Sequence, residues 1–136
     1  REGIRLSIFC PVNSSSFSDS LIATGFPYYD FSKTKVYLGV LEELMKSTRG
    51  IRRLGAASVD LVYVACGKFN GFFEYSLAPW DVAAGAIIVK EAGGIVTDFN
   101  GGQDWLHGKS IVVGSPIVQI KLLEIIQNNS KKLSLI

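Results

Sequence analysis

Cysteine is scarce: Cys10 and Cys66 are the two in 136 residues, and their spacing is not that of a metal-binding pair. Neither a metal-binding pair nor a disulfide is expected of them. Both thiols are expected to be buried ones of a reducing compartment, which points to the cytoplasm. Histidine is scarcer still, with His107 as the single one. Neither cysteine has an obvious histidine partner, and no G-x-S-x-G serine elbow occurs, which argues against covalent catalysis. An excess of either charge is also missing. Fourteen Lys and Arg stand against twelve Asp and Glu, and the basic residues are scattered apart from Arg52-Arg53 and Lys131-Lys132. No nucleic-acid partner is expected from such a balance. Apolar runs stop well short of a membrane span, and the start has no signal-peptide pattern, so no membrane role is expected either. The G-x-G-x-x-G and G-x-x-x-x-G-K-[ST] phosphate loops are absent, which disfavours nucleotide binding of those kinds.

What is present suits a packed globular domain: 48% apolar residues, 19% charged, and a length that can bury a sizeable core. The chain reads as a single α/β domain over residues 1–136. Ile4-Arg5-Leu6-Ser7-Ile8-Phe9 alternates like an edge strand, and Ser20 to Thr24, closed by Gly25 and Pro27, reads as a strand buried on both faces. From about Ser32 to Thr48 the residues Tyr37, Leu38, Leu41, Leu44 and Met45 recur at helical spacing, which predicts an amphipathic cover helix. A brief strand follows at Gly50 to Gly55, a helix from Ala56 to Cys66, and a strand from Asn70 to Glu74. Beyond these come a long apolar helix, a strand at Ile95-Val96-Thr97, a turn at Asn100-Gly101, a strand at Ser110 to Gly114 and a last helix from about Pro116 to Gln127. The tail from Asn128 reads as polar and frayed. Alternating strands and helices argue for a layered sandwich with a mostly parallel or mixed sheet and helices on both faces.

The stretch from Pro79 to Gly94 organises the rest. Between Trp80 and Ala92 only Asp81, Lys90 and Glu91 are polar, so this helix is expected to lie buried among neighbours. Pro79 suits its first turn, and Gly93 or Gly94 its end. Asp81 sits at the entrance with only Ala84 and Gly85 one turn on, so nothing bulky should stand over it. On position alone it is either an N-terminal capping aspartate or a ligand-binding carboxylate. Glu74, seven residues earlier, is either a solvated strand-end residue or a second carboxylate of one pocket. Gly55-Ala56-Ala57 is either a tight strand-to-helix connection or a helix entrance offering backbone N–H groups to a phosphate or hydroxyl oxygen. In α/β folds ligands collect where strands end and helices begin. Thr24-Gly25, Gly55-Ala56-Ala57, Glu74 and Asp81 all fall at such points, and this convergence moves Asp81 towards a ligand role. Hard cations such as Mg²⁺ take one or two carboxylates plus substrate phosphate, so Asp81 is not a full site. Asp60, inside an apolar helix, reads as a satisfied structural carboxylate.

Trp80-Asp81-Val82-Ala83-Ala84-Gly85, followed by Glu91-Ala92-Gly93-Gly94, resembles the second signature of the inositol monophosphatase family of Mg²⁺-dependent phosphatases. Leu21-Ile22-Ala23-Thr24-Gly25-Phe26-Pro27, Arg52-Arg53-Leu54-Gly55-Ala56-Ala57 and Gly71-Phe72-Phe73-Glu74 resemble bacterial members in the same order and at similar spacing. The resemblance runs from about Leu21 to Gly114. It implies the carboxyl-terminal domain of that fold, a homodimer, and metal-assisted hydrolysis of a phosphate ester, inositol monophosphate first, with fructose 1,6-bisphosphate or 3′-phosphoadenosine 5′-phosphate as alternatives. Asp81 is then a ligand of catalytic Mg²⁺ that also approaches substrate, Glu74 binds a polyol hydroxyl, and the Gly55-Ala56-Ala57 backbone lines the substrate. Two acidic family motifs, Gly-Glu-Glu and Asp-Pro-x-Asp-Gly-Thr, do not occur, and Glu42-Glu43 sits in an amphipathic helix and is no substitute. Ala56 stands where many relatives have Ser or Thr. The chain, which opens on Arg1, is therefore expected to be a carboxyl-terminal half that is inactive without the amino-terminal half of the same enzyme. From a different class, the alternative is a noncatalytic domain that binds a partner or oligomerises through its cover helices.

Overall fold

The computed structural model describes Gly3 and residues 16–27 and 30–134. The strand expected at Ile4 to Phe9, and Cys10, lie outside these residues. The described elements are β1 (Leu21–Thr24), α1 (Thr34–Ser47), β2 (Gly50–Arg52), α2 (Ala57–Ala65), β3 (Gly71–Tyr75), α3 (Pro79–Glu91), β4 (Ile95–Thr97), β5 (Ser110–Gly114) and α4 (Pro116–Ser134). They form one five-stranded sheet of order β2-β1-β3-β5-β4. β1 pairs in parallel with β2 and β3, whereas β5 runs antiparallel to both β3 and β4. The sheet is thus mixed, with four strands in one direction and β5 against them.

Helices cover both faces, as alternation of the elements predicts. From β1 to β2 the chain moves one way along the sheet, and from β2 to β3 it moves back across β1. Right-handed crossovers then put α1 and α2 on opposite faces. Ala23, Phe72, Ile111 and Val113 meet Leu61 of α2 and Val82 and Val89 of α3 on one face. Ile22, Phe73 and Val112 meet Tyr37 and Leu44 of α1 and Leu122 of α4 on the other. The period-2 alternation of the strands feeds these two cores. At the carboxyl ends of the parallel strands the chain leaves β1 towards one face and leaves β2 and β3 towards the other, which opens a crevice between the departing segments.

Four expectations need correction. In α1 the buried residues are Tyr37, Val40 and Leu44, spaced i, i+3, i+7, while Leu38 and Met45 are exposed. Each lies one residue past a buried position or nearly so, and about 100° of rotation carries it off the sheet-facing stripe. α3 is not buried all round: Val82, Gly85, Ala86 and Val89 face inward, but Trp80 is 84% and Ile87 57% exposed. It packs on α2 and the sheet, and no described element covers its outer side. α4 continues through the supposed frayed tail to Ser134. Asn129 is buried there, donating from Nδ2 to the Ile125 carbonyl at 2.9 Å and to Glu43 Oε2 at 3.1 Å. Cys66, expected inside, is exposed because α2 has ended before it. Among the described residues no helix is long and apolar enough to cross a membrane.

Candidate active site at the strand ends

The crevice at the strand ends is a cleft of about 620 Å³, and Gly25, Gly55, Ala56, Ala57, Glu74 and Asp81 all line it. The sheet brings together every segment that the spacing of strands and helices placed at one edge. Gly55 has φ +92°, a left-handed conformation that lets the chain turn from β2 straight into α2. Ala56, at the cap position of α2, is extended and offers no capping side chain. The first N–H groups of α2 are therefore left for water or a ligand at the cleft.

Asp81 turns out to have a capping function and a cleft position together. It is the third residue of α3, and its Oδ2 accepts the N–H of Ala78, the residue that caps the helix, at 2.9 Å. Pro79 occupies the first helical position, where its missing donor costs nothing. Of the two small residues one turn beyond Asp81, Ala84 is exposed and Gly85 is buried. Gly85 faces α2, where a Cβ would lie 2.6 Å from Cβ and Cδ1 of Leu61. The small residue serves close approach of the two helices.

Glu74 is 7% exposed, and its carboxylate lies directly against the α-carbon of Gly25, where any side chain would collide with it. Burial pushes its carboxyl up to about 7, with the charges of Asp60 and Asp81 adding to the rise and Arg53 opposing it. Asp60 is fully buried beneath the same cleft, and neither carboxylate oxygen has a hydrogen-bond partner among the described residues. Burial raises it to about 6 against the pull of Arg53. The expectation of a satisfied structural carboxylate at Asp60 is thus overturned. Its spacing held the signal: four residues after Ala56 is one turn on, the same side of α2 as the helix entrance.

Three further cleft residues, Phe26, Arg53 and Ser76, carry no site role in the sequence reading. Arg53 places its guanidinium 5.3 Å from the centre of the Phe26 ring at the rim. Ser76, two residues after Glu74, has φ +68°, an uncommon conformation for a residue with a side chain. The donors gathered here are carboxylate oxygens, the type that hard cations prefer. Among the described residues, however, no three ligating side chains are grouped to hold one ion. What the arrangement can do is bind a polar ligand between a helix amino end and two carboxylates.

Residues 8–131 match the profile of the inositol monophosphatase family. The chain belongs to the inositol monophosphatase family. A putative Nus factor SuhB of Neisseria meningitidis is 51% identical over 114 residues, which cover 84% of this chain and 44% of that protein. An inositol-1-monophosphatase of Mesorhizobium japonicum is 41% identical over 109 residues, 80% of this chain and 41% of that protein. Among solved structures, the extragenic suppressor protein SuhB of Bartonella henselae superposes with a TM-score of 0.78 at 42% identity, covering 84% of this chain and 44% of that one. The chain spans less than half the length of the curated relatives it matches. The resemblance carried by the Trp80-Asp81 stretch, and the layered α/β fold it implied, are both borne out. Membership in the inositol monophosphatase family gives this chain a phosphatase-type fold with the cleft at its strand ends.

Proposed function

We propose that this chain is the carboxyl-terminal half of a Mg²⁺-dependent phosphatase acting on a polyol phosphate, inositol monophosphate first. The observation that carries the reading is the meeting of Asp81, Glu74 and the uncapped start of α2 in one cleft. Asp81 is the residue that would hold Mg²⁺: it is a carboxylate at the positive end of a helix, with one oxygen anchored by the Ala78 N–H. The donor chemistry fits the ion, and the remaining ligands come from the amino-terminal half. Mg²⁺ bound there supplies charge neutralisation at the phosphate and a more acidic water as nucleophile.

The chain's own residues then orient the substrate. Glu74, whose carboxyl titrates at about 7, can accept from a hydroxyl or donate to it, and a hydroxyl can answer either way. The Gly55-Ala56-Ala57 backbone offers N–H donors to the ring oxygens. Side-chain hydroxyls at residue 56 are lost with alanine there, leaving backbone contacts. The enzyme so assembled works in the cytoplasm as a homodimer, without nucleic acid or membrane.

Hydrolysis of inositol 1-phosphate by the assembled enzyme tests this reading. Asp81→Asn keeps the capping acceptor and is expected to fold normally while losing Mg²⁺-dependent turnover. Unchanged activity at limiting Mg²⁺ would count against the assignment. A second reading, a noncatalytic partner-binding domain, draws support from the outward apolar residues Trp80 and Ile87 and from a relative named as a Nus factor. Asp81→Asn separates the two, since partner binding through the outer side of α3 does not need that carboxylate.

A further inference from the structure

We infer that Gly25 and Tyr37 are positioning residues for Glu74, setting where its carboxyl meets the substrate. The inference rests on the proposed role of Glu74 as a contact to the polyol. Glu74 has no hydrogen-bond donor among the described residues to fix its side chain, although it lies at the cleft and is nearly buried. A free carboxyl on three rotatable bonds needs some other constraint to recognise one hydroxyl among several.

The constraint is steric, and it comes from the residue that follows β1. The carboxylate rests on the bare α-carbon of Gly25, close enough that a methyl there would overlap Oε1 and Cδ. Gly25 is not in the left-handed region, so its lack of a side chain serves this contact and not the backbone. The platform is itself held. Tyr37, on α1 at the opposite face of the sheet, donates its hydroxyl proton to the Gly25 carbonyl. Thr24 donates to the Phe73 carbonyl at 2.8 Å, and the Thr24 and Tyr37 hydroxyl oxygens lie against each other. Phe73 immediately precedes Glu74, so one cluster fixes both the backbone that carries the carboxyl and the surface on which it rests.

The Tyr37 ring is packed on Phe73 at 5.6 Å and Tyr75 at 6.0 Å, which leaves its hydroxyl little choice of direction. Tyr37 belongs to the core under α1 and α4 and does not itself line the cleft, although its ring meets that of Phe26 at the rim edge-on at 6.0 Å. The ring contact with Phe26 survives in Tyr37→Phe, so what that variant removes is the hydroxyl, which acts on substrate through Gly25 and Glu74. A structural tyrosine with no such role would alter stability without altering discrimination between substrates.

The test is a set of double-variant cycles in the assembled enzyme, reading KM and kcat for inositol 1-phosphate and for phenyl phosphate, which carries no ring hydroxyl. Gly25→Ala and Glu74→Gln are each expected to raise KM for inositol 1-phosphate about tenfold, the worth of one hydrogen bond to a charged group. Tyr37→Phe, which keeps the ring packing, is expected to raise it severalfold and to leave KM for phenyl phosphate unchanged. Combined with Glu74→Gln, neither Gly25→Ala nor Tyr37→Phe should add anything. If the effects multiply instead, the two residues act elsewhere and the inference falls while the role of Glu74 stands. If Glu74→Gln itself leaves KM unchanged, the role of Glu74 falls and takes the inference with it. Should Gly25→Ala fail to fold, Tyr37→Phe carries the same cycle.

Discussion

Asp60→Asn should improve in stability relative to the parent as pH rises from 4.5 to 8. Asp60 is fully buried, lacks any described hydrogen-bond partner, and has its carboxyl raised from 3.8 to about 6 by burial. The sign follows from which state holds the proton more tightly. Below 3.8 both folded and unfolded chains are protonated, and burial of the neutral acid costs no charge penalty. Between 3.8 and about 6 the unfolded chain ionises first, so stability falls as pH rises; above about 6 the penalty is constant. At 1.36 kcal/mol per pH unit the whole span corresponds to ~3 kcal/mol, of which ~2 kcal/mol is lost between pH 4.5 and pH 8. Glu74, raised to about 7 in part by Asp60, loses stability over an overlapping window, and removing the Asp60 charge eases that as well. The asparagine amide carries its own cost of being buried without partners, ~1 kcal/mol or more, at every pH. The quantity to read is therefore the change in the stability gap between variant and parent from pH 4.5 to pH 8. Urea denaturation followed by circular dichroism should show it as a relative shift of about 1 M in the midpoint, taking a slope of ~2 kcal/mol per molar. A gap that does not change with pH, or a variant weakened most at pH 8, would show that the Asp60 charge is compensated and would refute the reasoning.

Gly85→Ala gains ~1 kcal/mol of helix propensity but forces a methyl to within 2.6 Å of Leu61 Cβ, an atom fixed to the α2 backbone. Overpacking of ~1–3 kcal/mol should outweigh the gain, and a thermal melt showing no loss would contradict the close α2–α3 approach. Ala56→Ser supplies the missing cap of α2 and should add ~1 kcal/mol to stability; no change in the melting temperature would mean that the first N–H groups of α2 already have partners.

How far the sequence could be read depended on whether a feature was local. Pro79, Asp81 and Gly93 act within their own helix, so α3 was found with its ends nearly right. The cleft was legible because strand ends in an α/β fold have a fixed relation to the helices that follow them. Residues whose state depends on a distant partner were not legible. Asn128 to Ser134 looked like a frayed tail because the partner of Asn129 is Glu43, 86 residues away. Asp60 looked satisfied because nothing nearby in sequence says that its surroundings hold no donor. Leu38 and Met45 are apolar at helical spacing, yet only the sheet's position decides which of two neighbouring stripes it covers. The glycine at 25 gave a turn signal, while its contact with Glu74 belongs to the pairing of β1 with β3, in which Thr24 faces Phe73.

The central claim is that this chain brings the substrate cleft and one metal ligand to a phosphatase whose other ligands lie elsewhere. Its most direct test is Mg²⁺-dependent phosphate release from inositol 1-phosphate, measured for this chain alone and for this chain joined behind the amino-terminal half of the Neisseria meningitidis relative. The account predicts no turnover above background for the chain alone and turnover that chelation abolishes for the joined protein. Robust Mg²⁺-dependent hydrolysis by the chain alone would contradict it.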